Sequence, residues 1–367
     1  MAEPVVTRLA RPEDGPALLD AIARIDAETE FLGVAGQRHP WADDPREELR
    51  RLRADDRGAV FLALDRANAI VGYLGAFAGG FARNRGTIFI AVVGLREEWR
   101  GRGIGTRLFE MAEDWACARG AWRLELRVSS LNERGLALYH KRGFAIEGRI
   151  RGGVWRRNGW TDDFWMGKLL DPAPSAMRAG TPPRPVRAPG QLAELSGLRL
   201  RRLQRGDGAA LREWDLAMVR SSPFSLKLPG EVPSAERIEA DMADDTSDLR
   251  CWIAAAVPMR RSGERFLGFA SAMIERGYRM EHDAFVNVGV LPEWSRQGLG
   301  RRLHAALEKW AREQGARRLT ALVHAPNMSG RGFAATLGYA EEVVQRNYAR
   351  FDGGFVDRLR LGKLLEV

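Results

Sequence analysis

The feature that most constrains this chain is that it contains itself twice. Residues 98–144 and 293–339 align at a constant offset of 195 without a gap, and 17 of the 47 paired positions are identical. The offset carries Glu98-Trp99 onto Glu293-Trp294 and Gly103-Ile104-Gly105 onto Gly298-Leu299-Gly300. It also carries Trp115 onto Trp310, Gly120-Ala121 onto Gly315-Ala316 and Asn132 onto Asn327, while Asp14-Gly15 matches Asp207-Gly208 at an offset of 193. A period this long is a whole domain rather than the roughly 20–50-residue unit of a solenoid. The length of 367 residues agrees, because single cores stop growing beyond about 250–300 residues and longer chains divide.

Between the copies, residues 171–195 hold six of the 17 prolines (172, 174, 182, 183, 185 and 189) and almost no periodic apolar positions. Proline fixes φ and lacks an amide donor, so this stretch is expected to be a semi-extended linker. The expected domains are therefore 1–170 and 196–367, joined by 171–195.

Composition narrows the function classes. Two cysteines far apart, Cys117 and Cys251, exclude a disulfide framework and a thiolate zinc site. The five histidines show no ligand spacing, so no metal is expected. The formal charge of +9 divides as +3 for residues 1–170, +1 for 171–195 and +5 for 196–367, with both signs interspersed. A nucleic-acid face needs clustered charge, so the excess suits a small anionic ligand better. The longest apolar run, 69–82, is interrupted by four glycines and too short to cross a membrane. The start, Met-Ala-Glu-Pro, has neither the basic stretch nor the apolar core of a secretory signal. The expectation is a cytoplasmic protein with no nucleic-acid and no membrane partner.

Within each copy, apolar periodicity alternates between strand and helix. In the first, strands are predicted at 5–9, 60–64, 70–77, 87–93, 122–128, 144–149 and 164–169. Helices are predicted at 13–24 and 45–53, from about Gly103, and at 133–142. The second copy gives strands at 198–203, 251–256, 266–274, 284–290, 318–323, 339–344 and 355–361, with a long helix from Leu299. The expected class is α/β (α+β), a mixed and mostly antiparallel sheet with helices on both faces.

The segment Val92-Val93-Gly94-Leu95 … Arg100-Gly101-Arg102-Gly103-Ile104-Gly105-Thr106-Arg107 carries the chemistry. An apolar strand enters a glycine-rich turn that opens directly into an amphipathic helix. Glycines let the backbone approach a ligand and present successive amides, and the helix N-terminus adds partial positive charge, which together would cradle a pyrophosphate. The alternative is a plain tight turn with solvated arginines. Gly105 is followed by Thr106-Arg107 rather than Lys-Ser/Thr, which excludes a P-loop, and the glycine spacing does not fit the dinucleotide fingerprint. Further on, Asn132 stands at a helix start, Tyr139 lies two turns along the same face, and Gly143-Phe144 ends the helix. Taken alone, Asn132 reads as a cap and Tyr139 as a packing residue.

Arg-x-x-Gly-x-Gly at 100–105, with Asn132, Tyr139 and Gly143-Phe144 at these distances, resembles the GNAT superfamily of acetyl-CoA-dependent N-acetyltransferases. The stretch Glu147-Gly148-Arg149-Ile150-Arg151 … Asp162-Asp163-Phe164-Trp165-Met166 resembles its bacterial amino-acid and ribosomal-protein branch. The resemblance covers roughly 5–170 and, more weakly, 196–366. It implies a V-shaped split between the fourth and fifth strands that takes acetyl-CoA as cosubstrate. Backbone at Val93 and Leu95 would pair with pantetheine, Arg100, Gly101, Arg102, Gly103, Ile104, Gly105 and Thr106 would hold the pyrophosphate, and Asn132 would hold the pantetheine arm. An amide near Val93 would polarise the thioester carbonyl, and the Tyr139 hydroxyl would protonate the departing thiolate.

Many relatives place a glutamate on the fourth strand, and this strand has none. Glu30, with Glu28 beside it, and Glu125 on the fifth strand are the candidates for amine recognition or base work, with Glu30 paired to Tyr139 as the catalytic set. In the second copy Val290, Gly298, Gly300 and Asn327 keep the cofactor positions. Ser295 replaces Arg100, however, and Ala334 replaces Tyr139. The expectation is an active first copy and a degenerate second. Two alternatives stay open: a tandem enzyme with its C-terminal copy active, as in mycothiol synthase, or a non-catalytic acetyl-CoA-binding module. The acceptor is expected to be a primary amine of a small molecule or protein. The chain is expected to be a monomer, with its copies forming a pseudo-dimer, or a homodimer.

Overall fold

The structure, a computed structural model, describes residues 5–32, 43–156, 159–170, 197–243, 249–259, 263–275, 280–352 and 354–365. The expected linker at 171–195 lies outside the described residues. The chain divides into two compact units. The first comprises Met1–Ala176, Gly277–Met280 and Glu342–Arg358, and the second Met177–Arg276, Glu281–Glu341 and Leu359–Val367.

In the first unit the elements run β1 (Val6–Leu9), α1 (Gly15–Ala27), α2 (Pro45–Ala54), β2 (Gly58–Leu64), β3 (Ile70–Ala78), β4 (Thr87–Leu95) and α3 (Ile104–Cys117). They continue with β5 (Arg123–Ser129), α4 (Glu133–Lys141), β6 (Ala145–Arg156) and β7 (Gly159–Leu169). The sheet order is β1-β2-β3-β4-β5-β7-β6, and every pairing is antiparallel except β4 with β5. This mixed sheet is the class the sequence predicts.

Each helix is amphipathic, and its apolar stripe decides which face of the sheet it covers. Ile104, Leu108, Phe109, Ala112 and Ala116 of α3 join Ile88, Ile90, Leu124, Leu126, Val128, Tyr139 and Met166 in one core. Leu18, Ile22 and Ile25 of α1 and Leu49 of α2 join Val60, Leu62 and Tyr73 in another. At about 1.5–3 kcal/mol per large side chain, these two layers fix the sheet between them.

The hairpin β6–β7 is longer than the strands predicted at 144–149 and 164–169. A bulge between Ile150 and Val154 absorbs Arg151–Gly153, which read as a break, and the ladder resumes to the pair Trp155–Trp160. Next to β6 lies β13 (Ala340–Phe351), with Val343 opposite Gly148.

The second unit repeats the plan. Its elements are β8 (Arg199–Arg202), α5 (Gly208–Ser221), α6 (Ala235–Ala243), β9 (Leu249–Pro258), β10 (Glu264–Ile274), β11 (Asp283–Val290), α7 (Leu299–Glu313), β12 (Arg318–His324) and α8 (Met328–Thr336). The end of β14 (Gly354–Leu364) borders β12. The parallel pair here is β11 with β12, and a single core runs through α5, α7 and these strands.

Candidate active site

The site of the first unit begins where the parallel ladder stops. β4 and β5 pair from Thr87–Arg123 to Ile90–Leu126 and no further. Ala91 is a bulge: Ile90 faces Ala76 and Val92 faces Gly75 on β3, leaving Ala91 unpaired and exposed. A bulge bends a strand and increases its twist. From there Val92–Leu95 stay with β3, while Arg127–Ser129 stay with β7. A split opens between the fourth and fifth strands, with half-buried Val93 and Leu95 on one wall.

β4 leads into the glycine-rich turn. Gly101 and Gly103 both hold φ of +76°, which only glycine adopts without cost, and Gly103 caps α3. The outward side of the turn is open, because a Cβ at either glycine would meet nothing within 4 Å. Among the described residues, none of the backbone amides from Gly101 to Thr106 has a protein acceptor. The first bonded amide beyond them is Arg107 N–H, to the carbonyl of Gly103 at 3.2 Å. Such a run at a helix N-terminus fits a diphosphate. The exposed Arg102, over the Trp99 ring at 4.9 Å, and the exposed Arg107 add positive charge beside it.

Arg100 takes a different part from its neighbours. Its amide donates to Glu97 O at 3.1 Å. Its guanidinium donates to Leu95 O at 3.1 Å and Glu28 O at 3.4 Å. Both of its donor groups therefore face inward and tie the turn to the ends of β4 and α1. Glu28 completes this tie: it accepts from Arg96 Nε at 2.6 Å and from the Glu97 amide, and it lies 3.8 Å from Arg100. Burial pulls its carboxyl pKa up, but the Glu97 amide and Arg96 outweigh that and hold it below the ordinary value. Glu28 thus pins the loop to the end of α1.

Glu125 is also committed elsewhere. It is buried on β5, and its Oε2 accepts from Arg123 at 3.0 Å, Gln345 at 2.7 Å and Trp165 Nε1 at 3.2 Å. Arg123, itself fully buried, also binds Glu147. A carboxylate inside such a network balances a buried cation. Glu30 is exposed on the segment after α1.

Asn132 caps α4, accepting from Gly135 N–H at 2.9 Å through Oδ1, and its Nδ2 has no protein partner among the described residues. Tyr139 is 7% exposed and meets the rings of Phe109 and Phe144 edge-on. Its hydroxyl makes no hydrogen bond among the described residues. Burial pushes the phenol pKa well above its ordinary value, so the group stays protonated.

In the second unit the ladder stops after Phe285–Thr320, and half-buried Val290 ends β11. Gly298 caps α7 at φ +83°, and Asn327 caps α8 through Gly330 N–H at 2.9 Å. Gly300 sits against Phe333 as Gly105 sits against Leu138. Three differences stand out. Arg296 adopts φ +62° where the first copy has Gly101, β11 pairs with β10 without a bulge, and Ala334 fills the place of Tyr139. The nearby phenol, Tyr339, is bonded to His304 Nε2 at 2.8 Å.

Asp163 is not among the candidate residues named from sequence, although the family-like stretch holds it and its pattern carries a signal. An Asp-Asp pair interrupts the aromatic strand Trp160–Trp165. Asp163 is 3% exposed, and its Oδ2 accepts from Arg127 Nε at 2.6 Å.

Both units thus carry a split between parallel strands with a glycine-capped helix at its mouth. The model of the acetyltransferase (GNAT) family matches residues 20–144 and again 217–339, together more than half of the chain. The chain belongs to that family, carries two copies of its domain in tandem, and is an acyltransferase. It is 28% identical over 111 residues to Acetyltransferase SG1711 of Sodalis glossinidius (strain morsitans), which spans 30% of this chain and 73% of that one. Among solved structures it is similar to an acetyltransferase of the GNAT family from Streptococcus pneumoniae. That similarity has 28% identity and a TM-score of 0.42, over 45% of this chain and 99% of the other. It is also similar to yncA of Salmonella typhimurium, solved with its cofactor acetyl-CoA, at 20% identity and a TM-score of 0.41 over 47% and 99%. No helix among the described residues is long and apolar enough to cross a membrane, and no group of acidic, histidine or cysteine side chains among them could hold a metal ion.

Proposed function

We propose that the first unit moves the acetyl group of acetyl-CoA to a primary amine of a small molecule or protein by direct attack. The second copy would be a degenerate partner that keeps the cradle and has lost the chemistry. The observation that carries this is the run of amides from Gly101 to Thr106 without protein acceptors, beside the split between β4 and β5. Those amides, with Arg102 and Arg107, would hold the diphosphate. Asn132 Nδ2 and the unpaired edge of Val93 and Leu95 would hold the arm that ends in the thioester.

When bound, acetyl-CoA supplies the activated acyl carbon and the thiolate leaving group. A β4 amide near Val93 stabilises the oxyanion as the amine adds. The C–S bond then breaks, Tyr139 gives its proton to sulfur, and the extra proton on the amine nitrogen leaves to solvent, from which the tyrosinate is reprotonated. Because its phenol is buried and neutral, Tyr139 is a donor throughout the physiological range. Arg100 and Glu28 act by positioning, since they set the turn without facing the cofactor.

The second unit would retain cofactor through the turn at Gly298 and the cap at Asn327. It has no phenol free to serve sulfur, because Tyr339 is committed to His304. Calorimetry of the full chain with acetyl-CoA tests the core of this proposal. Binding heat is expected, with one site weakened at least about tenfold in Gly103→Val, where a branched side chain meets φ of +76°. No heat with the unaltered chain would overturn it.

A further inference from the structure

The first unit's sheet has one stretch whose chemistry the steps above leave unused. Residues paired across strands share a face, and side chains alternate between faces along each strand. Leu124, Leu126, Val128 and Met166 belong to the core that contains α3 and Tyr139. Arg127 and Ser129 of β5, with Trp165 and Asp163 opposite them on β7, therefore occupy the other face. Ser129 is the last residue of β5, three positions beyond the end of the β4–β5 ladder, so its partner Asp163 stands at the open end of the split.

Asp163 is half satisfied. Its Oδ2 is fixed by Arg127, which is itself held by the carbonyl of Gly153 at 2.6 Å and by Met280 Sδ. Its Oδ1 is buried and has no hydrogen-bond partner among the described residues. An unsatisfied buried acceptor costs about 1–3 kcal/mol, and more when charged, and proteins seldom leave one without use. Arg127 offsets part of the charge and orients the carboxylate, leaving one oxygen to receive a donor. Phe89 stacks on Trp165 at 5.6 Å and 16° on the same face; Trp165 is buried against Ile150 and Val343, and the half-buried Phe89 presents the accessible ring.

We propose that Asp163 Oδ1 accepts an N–H of the acceptor amine on the face of the split opposite Tyr139, anchoring it as it arrives protonated; the nitrogen gives one proton to solvent before its lone pair attacks. The acceptor would be a primary amine on a compact, flat apolar body. Asp163 is a binding residue in this scheme, and Arg127 positions it. The proposal rests on the acetyl-transfer reading above, and the following measurements separate the two.

Tyramine is the probe, with its alcohol counterpart, tyrosol, as the uncharged control. With the full chain, Asp163→Asn should raise the KM for tyramine at least about tenfold, as expected for a lost charge-assisted hydrogen bond. The KM for acetyl-CoA should stay within about twofold, since that site lies on the other face. An unchanged amine KM, or an equal rise for acetyl-CoA, would refute the assignment. If the unaltered chain binds acetyl-CoA but acetylates no amine, the transferase reading fails, and NMR titration of the CoA-saturated chain then judges Asp163 alone. Tyramine binding tighter than tyrosol, with that preference lost in Asp163→Asn, upholds the site. Equal binding of the two, or binding of neither, overturns it. The tyramine–tyrosol comparison on the unaltered chain keeps the test decisive even if the variant folds poorly.

Discussion

Replacing Tyr139 by phenylalanine should separate stability from chemistry cleanly. The ring's packing against Phe109 at 5.6 Å and Phe144 at 6.2 Å survives the change, and the hydroxyl removed has no hydrogen bond in the protein to lose. Deleting an unpaired hydroxyl from an apolar setting is close to neutral, so unfolding free energy should move by no more than about 0.5 kcal/mol. Catalysis should respond very differently. General acid assistance contributes about 10²–10⁴-fold, or roughly 2.7–5.4 kcal/mol of barrier at 1.36 kcal/mol per factor of ten. The expected result is a kcat lowered by about 10² or more, with little change in the KM for acetyl-CoA.

Release of CoA thiol, followed with a chromogenic disulfide, is a suitable assay once the fast reaction of exposed Cys117 is subtracted. The control is Tyr339→Phe in the second unit. It should leave kcat alone while costing about 1–3 kcal/mol of stability, because it strips His304 Nε2 of its 2.8 Å partner. A kcat within twofold of normal for Tyr139→Phe would refute the assignment of the acid. A collapse of kcat in Tyr339→Phe would transfer the chemistry to the second copy.

Two other measurements probe the second unit directly. Arg296 sits in the left-handed region at φ +62°, which costs about 1–2 kcal/mol for a side-chain-bearing residue. Arg296→Gly recovers that, less the roughly 0.5–1 kcal/mol that glycine loses in chain entropy, so the unfolding free energy should rise by ~0.5 kcal/mol and the urea midpoint should rise with it. A lower midpoint would mean that the arginine side chain is anchored. His304 is buried, and burial pushes its pKa down to about 4 against about 6.5 when unfolded. The unfolded chain then binds the extra proton first, and stability is lost as pH falls from about 6.5 towards 4. In His304→Phe, which copies Phe109 of the first unit, that slope should flatten in pH-dependent denaturation. An unchanged slope would exclude this histidine as its source.

How much of this was legible in the sequence depends on how far apart the interacting residues lie. The turn at 100–106, the caps Asn132 and Asn327 and the glycines at positive φ are local devices, set within a few residues, so each leaves a spacing that can be read directly. The mixed sheet followed from the alternation of strand and helix, whereas the split followed only from the resemblance to the acetyltransferase family. The carboxylates did not, because a charge reveals nothing of its partner. Glu28 looked available, yet its cations are Arg96 and Arg100, some 70 residues away in sequence. Glu125 looked like a base on the fifth strand, yet one of its donors is Gln345, 220 residues on. Asp163 is the converse case. Its neighbour Asp162 binds Arg149 and the amide of Gly152, so the sequence pair Asp162-Asp163 contains one fastened carboxylate and one half-open. Only the β5–β7 register, which sets Asp163 against Ser129, shows which of the two stands at the end of the split. A one-residue slip in that ladder would exchange their faces. The acceptor side proposed at Asp163 therefore rests on strand pairing rather than on any motif, whereas the turn proposed for the cofactor leaves its spacing in the sequence.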